Sequence, residues 1–538
     1  MVIIGTGHKL DTATVLAVAR GEALVGLAPE ARDLLAVRRK QIVDFVTKTK
    51  IPAYGFNRGF GHNVGVVVPN EKLALLQRNL IRSHSAGIGE PAPVEVVRTT
   101  MLLRAHSLAL AHSGVRPEVV TALIEFLNHG ITPIVPRFGS VGASGDLAPL
   151  SHIALALIGE GEVLVDGKRV PAKEALQARG LTPIELEMKE GLALNNGVQF
   201  STGWGIMLLA DCENLLKTAA ISTALSTQVL LGSDAPFAAE LHALRPHPGA
   251  QTVARWISTL MADSPLREAH RHASDDPRVQ DPYSLRCSAQ ILGTVCDLLT
   301  EARRTFEIEI NSATDNPLLL QNPAELGGEF TRIVSGGHFH GMPVAVKLYN
   351  LMQALAIMAS LSNTRCARFV DEARNLGLGS DLIWPLLDPG ERATSSGMML
   401  AEYASAALTN FIWGNAMPSH LFSLSTDAGQ EDHVSMSAGL AVRISETIPR
   451  LAEALGIELA FCAQAAAIRA ENKRLPFDLP NARELTPEER RLSPVCERVI
   501  ERIHQVFPVV QNDRILSPDL IALSGAVRRG EFVTIAGL

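Results

Sequence analysis

The sequence predicts a mainly α protein, a long-helix bundle that follows an α-rich N-terminal region carrying a glycine-rich loop. Three observations carry this reading. Beyond about residue 204, apolar residues recur at spacings of three and four, as at Ile291, Val295 and Leu298. These segments, roughly 204–232, 284–310, 343–376, 397–413, 436–470 and 484–505, are several times joined by short polar stretches, as bundles require. Before residue 204, shorter helical patterns open near proline and end near glycine. The chain is therefore expected to divide into 1–203 and 204–538.

In chain order, 2–31 reads as a short strand and then a helix from about Asp11, whose carboxylate suits an N-cap. Residues 33–48 are helical by pattern, and 51–65 form a glycine-rich loop. Helices are expected over 71–85, 93–112 and 117–129, and another after the loop at 139–152, through 151–159. Asp166-Gly167 marks a hairpin within 163–170, because this pair accepts the positive φ angles of a tight turn. The uncharged stretch 218–231 suits the middle of a bundle. The end, 518–538, reads as helical and then irregular, loosely held.

Composition bounds the function. At 538 residues, 47% hydrophobic and 20% charged, the chain can bury a large core. A net charge of −7 leaves no basic stripe for nucleic acid and no general attraction to anionic membranes. The longest run without Asp, Glu, Lys or Arg, 403–426, contains Asn410, Gly414, Pro418 and His420 and is not a membrane span. The six cysteines are scattered, with no C-x-x-C spacing, which points to free thiols in a reducing compartment. The start lacks a basic segment followed by a long apolar one, so a cytoplasmic location is expected.

The stretch Gly139-Ser-Val-Gly-Ala-Ser-Gly-Asp-Leu-Ala-Pro-Leu-Ser-His152 holds the most specific signal. Within it lies Ala143-Ser144-Gly145. An amide nitrogen is a poor nucleophile because resonance holds its lone pair. A glycine nitrogen in a tight turn is the least hindered one available, and glycine tolerates the dihedrals such a turn needs. Attack of the Gly145 nitrogen on the Ala143 carbonyl closes a five-membered ring. Loss of water from that ring and from Ser144 leaves a methylidene-imidazolone. The stretch is not a phosphate loop, lacking Gly-Lys-[Ser/Thr]. It is not a nucleophile elbow, since Asp146 stands where the second glycine belongs.

These flanks resemble the signature of the aromatic amino acid ammonia-lyases and aminomutases, the methylidene-imidazolone enzymes, and are most similar to those acting on histidine. The resemblance covers nearly the whole chain and implies this cofactor, formed autocatalytically from Ala143, Ser144 and Gly145. It implies that Tyr54, in Tyr54-Gly-Phe-Asn-Arg-Gly-Phe-Gly61, sits on a mobile lid and removes the substrate's β-proton. A phenol with a pKa of about 10 is scarcely ionised at neutral pH, so such a base needs positive surroundings or an alkaline optimum. Asn196 matches the asparagine beside the cofactor carbonyl, where an amide N–H stabilises negative charge. Gln280-Asp-Pro-Tyr283-Ser-Leu-Arg286 supplies Tyr283 to the catalytic set, Gln280 to the pocket and Arg286 as a planar fork for the substrate carboxylate. Phe339 matches an aromatic near the cofactor. Gln430-Glu431-Asp432-His433 resembles the histidine enzymes, with Glu431 able to accept a hydrogen bond from an imidazole N–H. His84, after Ser83, matches their selectivity position.

Other features carry less chemistry. The run Asn311 to Pro317 reads mainly as loop architecture. His338-Phe339-His340 lacks a third ligand at suggestive spacing, so no metal is expected. Arg58, Asn195, His338 and Gly429 depart from the family pattern near the pocket.

The expected activity is elimination of ammonia from L-histidine to give trans-urocanate, by a homotetramer with active sites shared between subunits. Addition of the substrate's amine and attack by its imidazole remain open as routes. The alternatives are a lyase for a modified histidine, which the four departures encourage, a phenylalanine or tyrosine ammonia-lyase, and an aromatic 2,3-aminomutase. A non-catalytic helical scaffold is opposed by the intact Ala143-Ser144-Gly145 and Tyr54.

Overall fold

The structure, a computed structural model, describes residues 1–49, 52–59, 65–272, 274–321, 330–477 and 483–538. Residues 51 and 60–64 of the expected glycine-rich loop lie outside these. Helices dominate the described residues and the strands form four small sheets, so the mainly α expectation holds. The chain folds into two compact units. One comprises Met1–Leu208, Ala302–Tyr349 and Pro418–Arg443; the other comprises Leu209–Glu301, Asn350–Met417 and Ile444–Leu538.

In the first unit the helix Val94–Ala109 is buried on every side, including Arg98 and Arg104. Burying a guanidinium is costly unless its donors are used. Arg98 uses its donors on Val18, Ala19 and Leu127 carbonyls, at the C-terminal ends of the helices Thr12–Ala19 and Pro117–Asn128. Helix ends leave carbonyls without intrahelical donors, and one buried arginine satisfies two such ends. The expected hairpin pairs Glu162–Val165 with Lys168–Pro171, and Asp166 and Gly167 take φ 50° and 76° at its turn. Three helices, Leu73–His84, Leu147–Leu157 and Glu190–Asn195, pack against one another and frame the site described below.

In the second unit the expected segment 284–310 divides into a short helix Tyr283–Arg286 and the start of a long one, Ser288–Ile310. The expected helix over 484–505 starts only at Pro494, where Ser493 accepts a hydrogen bond from Cys496 N–H as its cap. The C-terminal end differs from expectation. Helices Ser517–Arg528 and Glu531–Ala536 carry the chain nearly to its last residue, Phe532 is fully buried, and Arg502 pairs with Glu531 at 2.7 Å. Gly530 at φ 70° allows the break between them, so the stretch that reads as irregular is a helix–turn–helix closure.

Two helices, Met342–Val370 and Ser437–Glu471, are long and apolar enough to cross a membrane by length and composition. The most apolar window of Ser437–Glu471 is 83% buried inside the protein. That helix also carries Glu458, fully buried and paired with the equally buried Arg365 at 2.5 Å, as a core helix would. All six cysteines are free.

Candidate active site

The loop 139–146 is pinned from several directions within the first unit. The Asp146 amide N–H donates to Gly197 O at 2.7 Å. Its carboxylate accepts from Ser201 N–H at 2.8 Å and from the Ser201 and Ser140 hydroxyls at 2.7 Å. Burial pushes the Asp146 carboxyl up, and these donors, those of Ser201 at the N-terminus of the helix Gln199–Val229 and that of Ser140 in the loop, pull it back. On the other side, Met436 N–H donates to Val141 O at 2.9 Å and the Ser435 hydroxyl to Gly142 O at 3.1 Å.

Gly145 sits at φ 78°, and a Cβ there would lie 2.2 Å from Gly197 O. No other residue fits so close an approach. Beside it, Asn196 Nδ2 donates to Ser144 O at 3.2 Å, while Asn196 Oδ1 is buried with no hydrogen-bond partner among the described residues. The Asn196 carbonyl is held by the fully buried Arg104 at 2.8 Å, whose other contacts are Gln199 Oε1 and Thr314 O. Burial lowers Arg104 to about 10, which still leaves it charged at neutral pH. Behind this lies the fully buried pair of Lys189 and Asp315, 2.8 Å apart. The loop, present here as its three encoded residues, thus has a crowded glycine, an orphaned asparagine oxygen and a buried cation. These features fit a cyclised tripeptide.

In front of the loop lies a cavity of about 680 Å³. Among the sequence-predicted residues, Tyr54, His84, Ala143, Ser144, Asn196, Phe339, Gln430 and Glu431 line it. Ser144 Oγ donates to Glu431 Oε1 at 2.5 Å, and the Thr426 hydroxyl donates to Glu431 Oε2 at 2.8 Å. Burial pushes the His84 imidazole down; the Leu80 carbonyl and the charges of Glu431 and Asp427 oppose the shift. A neutral imidazole there keeps one donor and one acceptor. No lysine or arginine lines the cavity among the described residues.

Gln280, Tyr283 and Arg286 are not among the residues that line this cavity. They belong to the second unit, where Gln280 and Arg286 line a different cavity, of about 570 Å³, with Arg267, Arg271 and Arg278. There Arg286 Nε donates to Asp281 O at 2.8 Å and its guanidinium lies 4.7 Å from the Tyr283 ring centroid.

The four departures, Arg58, Asn195, His338 and Gly429, do not line this cavity. Arg58 donates to Gly65 O at 2.9 Å, Asn195 Nδ2 donates to Ser151 Oγ at 3.1 Å, His338 is exposed, and Gly429 sits in a turn at φ 86°. Conversely, Asn316, His340, Asp427, Asp432 and His433 line it without having been singled out for it. Adjacency to Gln430-Glu431 is a signal for three of these. Thr426 and the buried Lys189 gave none, since both act on residues chosen by the fold.

The model of the aromatic amino acid lyases matches residues 10–498. The chain belongs to the aromatic amino acid lyase family. It is a carbon–nitrogen lyase. A histidine ammonia-lyase of Streptomyces avermitilis is 40% identical over 537 residues, 99% of this chain and 98% of its own. One of Myxococcus xanthus is 39% identical over 531 residues, covering 99% and 97%. Among solved structures, a tyrosine aminomutase of Streptomyces globisporus superposes with a TM-score of 0.86 at 33% identity, covering 98% of this chain and 97% of that one.

Proposed function

We propose that this lyase eliminates ammonia from L-histidine to give trans-urocanate, using a methylidene-imidazolone made from Ala143, Ser144 and Gly145. The observation that carries the substrate choice is the pairing of Glu431 and His84 in one cavity with Ser144, in a chain about 40% identical to proteins named histidine ammonia-lyase. The cofactor, once formed, supplies an electrophile at the Ser144 position.

The chain's own residues do the rest. Tyr54 takes the β-proton. Asn196 holds the Ser144 carbonyl, and the buried charge of Arg104 behind it favours negative charge there. Glu431, fixed at one oxygen by Thr426, offers the other to an imidazole N–H. With no lysine or arginine lining the cavity among the described residues, the substrate carboxylate needs a cation from elsewhere. We assign it to Arg286 of a second copy, with Tyr283 and Gln280, in a homotetramer with shared active sites. The helix Met399–Asn415 leaves Leu400, Tyr403, Phe411 and Trp413 about half exposed, an apolar face suited to another subunit.

The test is a substrate panel of histidine, methylated histidines, phenylalanine and tyrosine, read by ultraviolet absorbance with product analysis. Histidine should be turned over best, with urocanate and free ammonia as products. A β-amino acid product assigns the chain to the aminomutases instead. Preference for a methylated histidine assigns it to a modified substrate, a reading weakened by departures that do not line the cavity.

A further inference from the structure

Gln77 is fully buried on the helix Leu73–His84, and both ends of its side-chain amide are used. Its Nε2 donates to Gly55 O at 3.1 Å, the carbonyl next to Tyr54. Its Oε1 accepts from Leu192 N–H at 3.2 Å, an amide in the first turn of the helix Glu190–Asn195, which has no intrahelical acceptor. The opposite amide orientation would set oxygen against oxygen and N–H against N–H, so only this one is consistent. Gly55 O also accepts from Lys189 N–H at 3.0 Å. Gly55 itself sits at φ 74°, where a Cβ would lie 2.5 Å from Leu192 Cδ2. The main chain beside Tyr54 is thus pressed against the helix that leads into Asn196.

The same helix face continues toward the cavity. Leu80 and His84 follow Gln77 at three and seven residues, the spacing of one helical face, and both line the cavity. Gln77 lines none of it. One primary amide therefore ties together the segments that present Tyr54, Asn196 and His84.

We propose that Gln77 is a positioning residue, which fixes the Tyr54 phenol in register with the cofactor loop through Gly55 and Leu192. The proposal rests on the reading of Tyr54 as the base. A buried hydrogen-bonded amide could serve stability alone, and the two roles separate in a double-mutant cycle. Gln77→Met keeps length and bulk but has no N–H donor and only a weak acceptor. If Gln77 acts by placing Tyr54, Gln77→Met lowers kcat at least about tenfold with KM little changed, since small misplacements of a reacting group are costly. The isotope effect with β-deuterated histidine then rises, because proton removal becomes slower relative to other steps. In a Tyr54→Phe background the same substitution lowers the residual rate less than about twofold, because no phenol remains to be misplaced. An equal loss in both backgrounds, with an unchanged isotope effect, overturns the proposal. Near-normal turnover in Tyr54→Phe itself overturns the base assignment instead, so the two failures are distinct. Intact mass, two waters below the encoded chain, identifies folded and mature protein before comparison. Should Gln77→Met not fold, Gln77→Asn, which keeps the amide but is one methylene too short to hold Gly55 O and Leu192 N–H together, carries the same cycle, and Gln77→Glu is the rescue control that should keep kcat near the wild-type value. Its buried acid is driven toward the protonated form, which offers the same donor and acceptor.

Discussion

The Ser144 hydroxyl donates to Glu431 Oε1 at 2.5 Å, so the oxygen expected to leave during cofactor formation is held by the carboxylate assigned to the substrate's ring. Dehydration of Ser144 removes that donor while Thr426 continues to hold Oε2. Maturation would leave one carboxylate oxygen without its former donor beside the new electrophile. The expected outcome is an intact mass two waters below the encoded chain. Ser144→Ala should restore the mass of one water lost from Ser144, or of both waters if the ring also fails to form. It should abolish turnover while the circular dichroism spectrum stays that of the wild type. An active wild-type enzyme with its full encoded mass contradicts the cofactor.

Lys189 and Asp315 form a buried ion pair, with Lys189 Nζ also donating to Asn316 O at 3.0 Å. Burial pushes the Lys189 amine down, and Asp315 opposes that shift. Removing one partner leaves the other buried without its counter-charge, a cost of about 3–5 kcal/mol. Lys189→Met should lower the free energy of urea unfolding by that order. The double variant Lys189→Met/Asp315→Leu should lose less than Lys189→Met alone. Equal losses would show that the pair's charges are not what matters.

The fold class was legible because helical periodicity is local: long segments such as Met342–Val370 declare themselves at three- and four-residue spacing. The C-terminal closure was not, because Phe532 gains its meaning only from what it packs under. In the site, Tyr54, His84, Ser144, Asn196 and Glu431 stood in recognisable motifs and share one cavity. Gln77 and Thr426 stood in none, because each acts through a single hydrogen bond or two to residues distant in sequence or set by a turn. Arg58 and Asn195 drew notice as departures, yet their partners, Gly65 O and Ser151 Oγ, lie outside the cavity lining.

His106 is fully buried, with Nδ1 accepting from Gly5 N–H at 3.3 Å, and burial pushes its imidazole down to about 4 from an ordinary 6.5. As pH falls through 6.5 the unfolded chain takes up this proton first. The stability tied to the neutral ring is therefore fully present above about pH 6.5 and is lost progressively toward pH 4, by up to about 3 kcal/mol. His106→Gln removes that proton-linked term. The difference in unfolding free energy between wild type and variant should be flat above pH 6.5 and fall as pH drops toward 4. A difference that is flat over the whole range would remove His106 from the acid response.

Substrate choice turns on Glu431. Glu431→Gln preserves shape and still accepts one hydrogen bond, but it replaces a charge-assisted bond by a neutral one, a loss of roughly 1–2 kcal/mol. Histidine turnover should fall by more than that if the carboxylate also stabilises charge that develops in the ring. Phenylalanine turnover should stay level or rise, because a carboxylate no longer faces an apolar ring. The Thr426 hydroxyl, which donates to Oε2 of the glutamate, can instead accept from the amide NH2, so the amide oxygen stays toward the ring and the comparison should report charge rather than geometry. The deciding measurement is the ratio of kcat/KM for histidine to that for phenylalanine, in wild type and variant, normalised to the fraction of matured sites by intact mass. A ratio that falls supports an imidazole held by Glu431. An unchanged ratio removes the reason for choosing histidine and moves the modified-histidine and aromatic readings ahead.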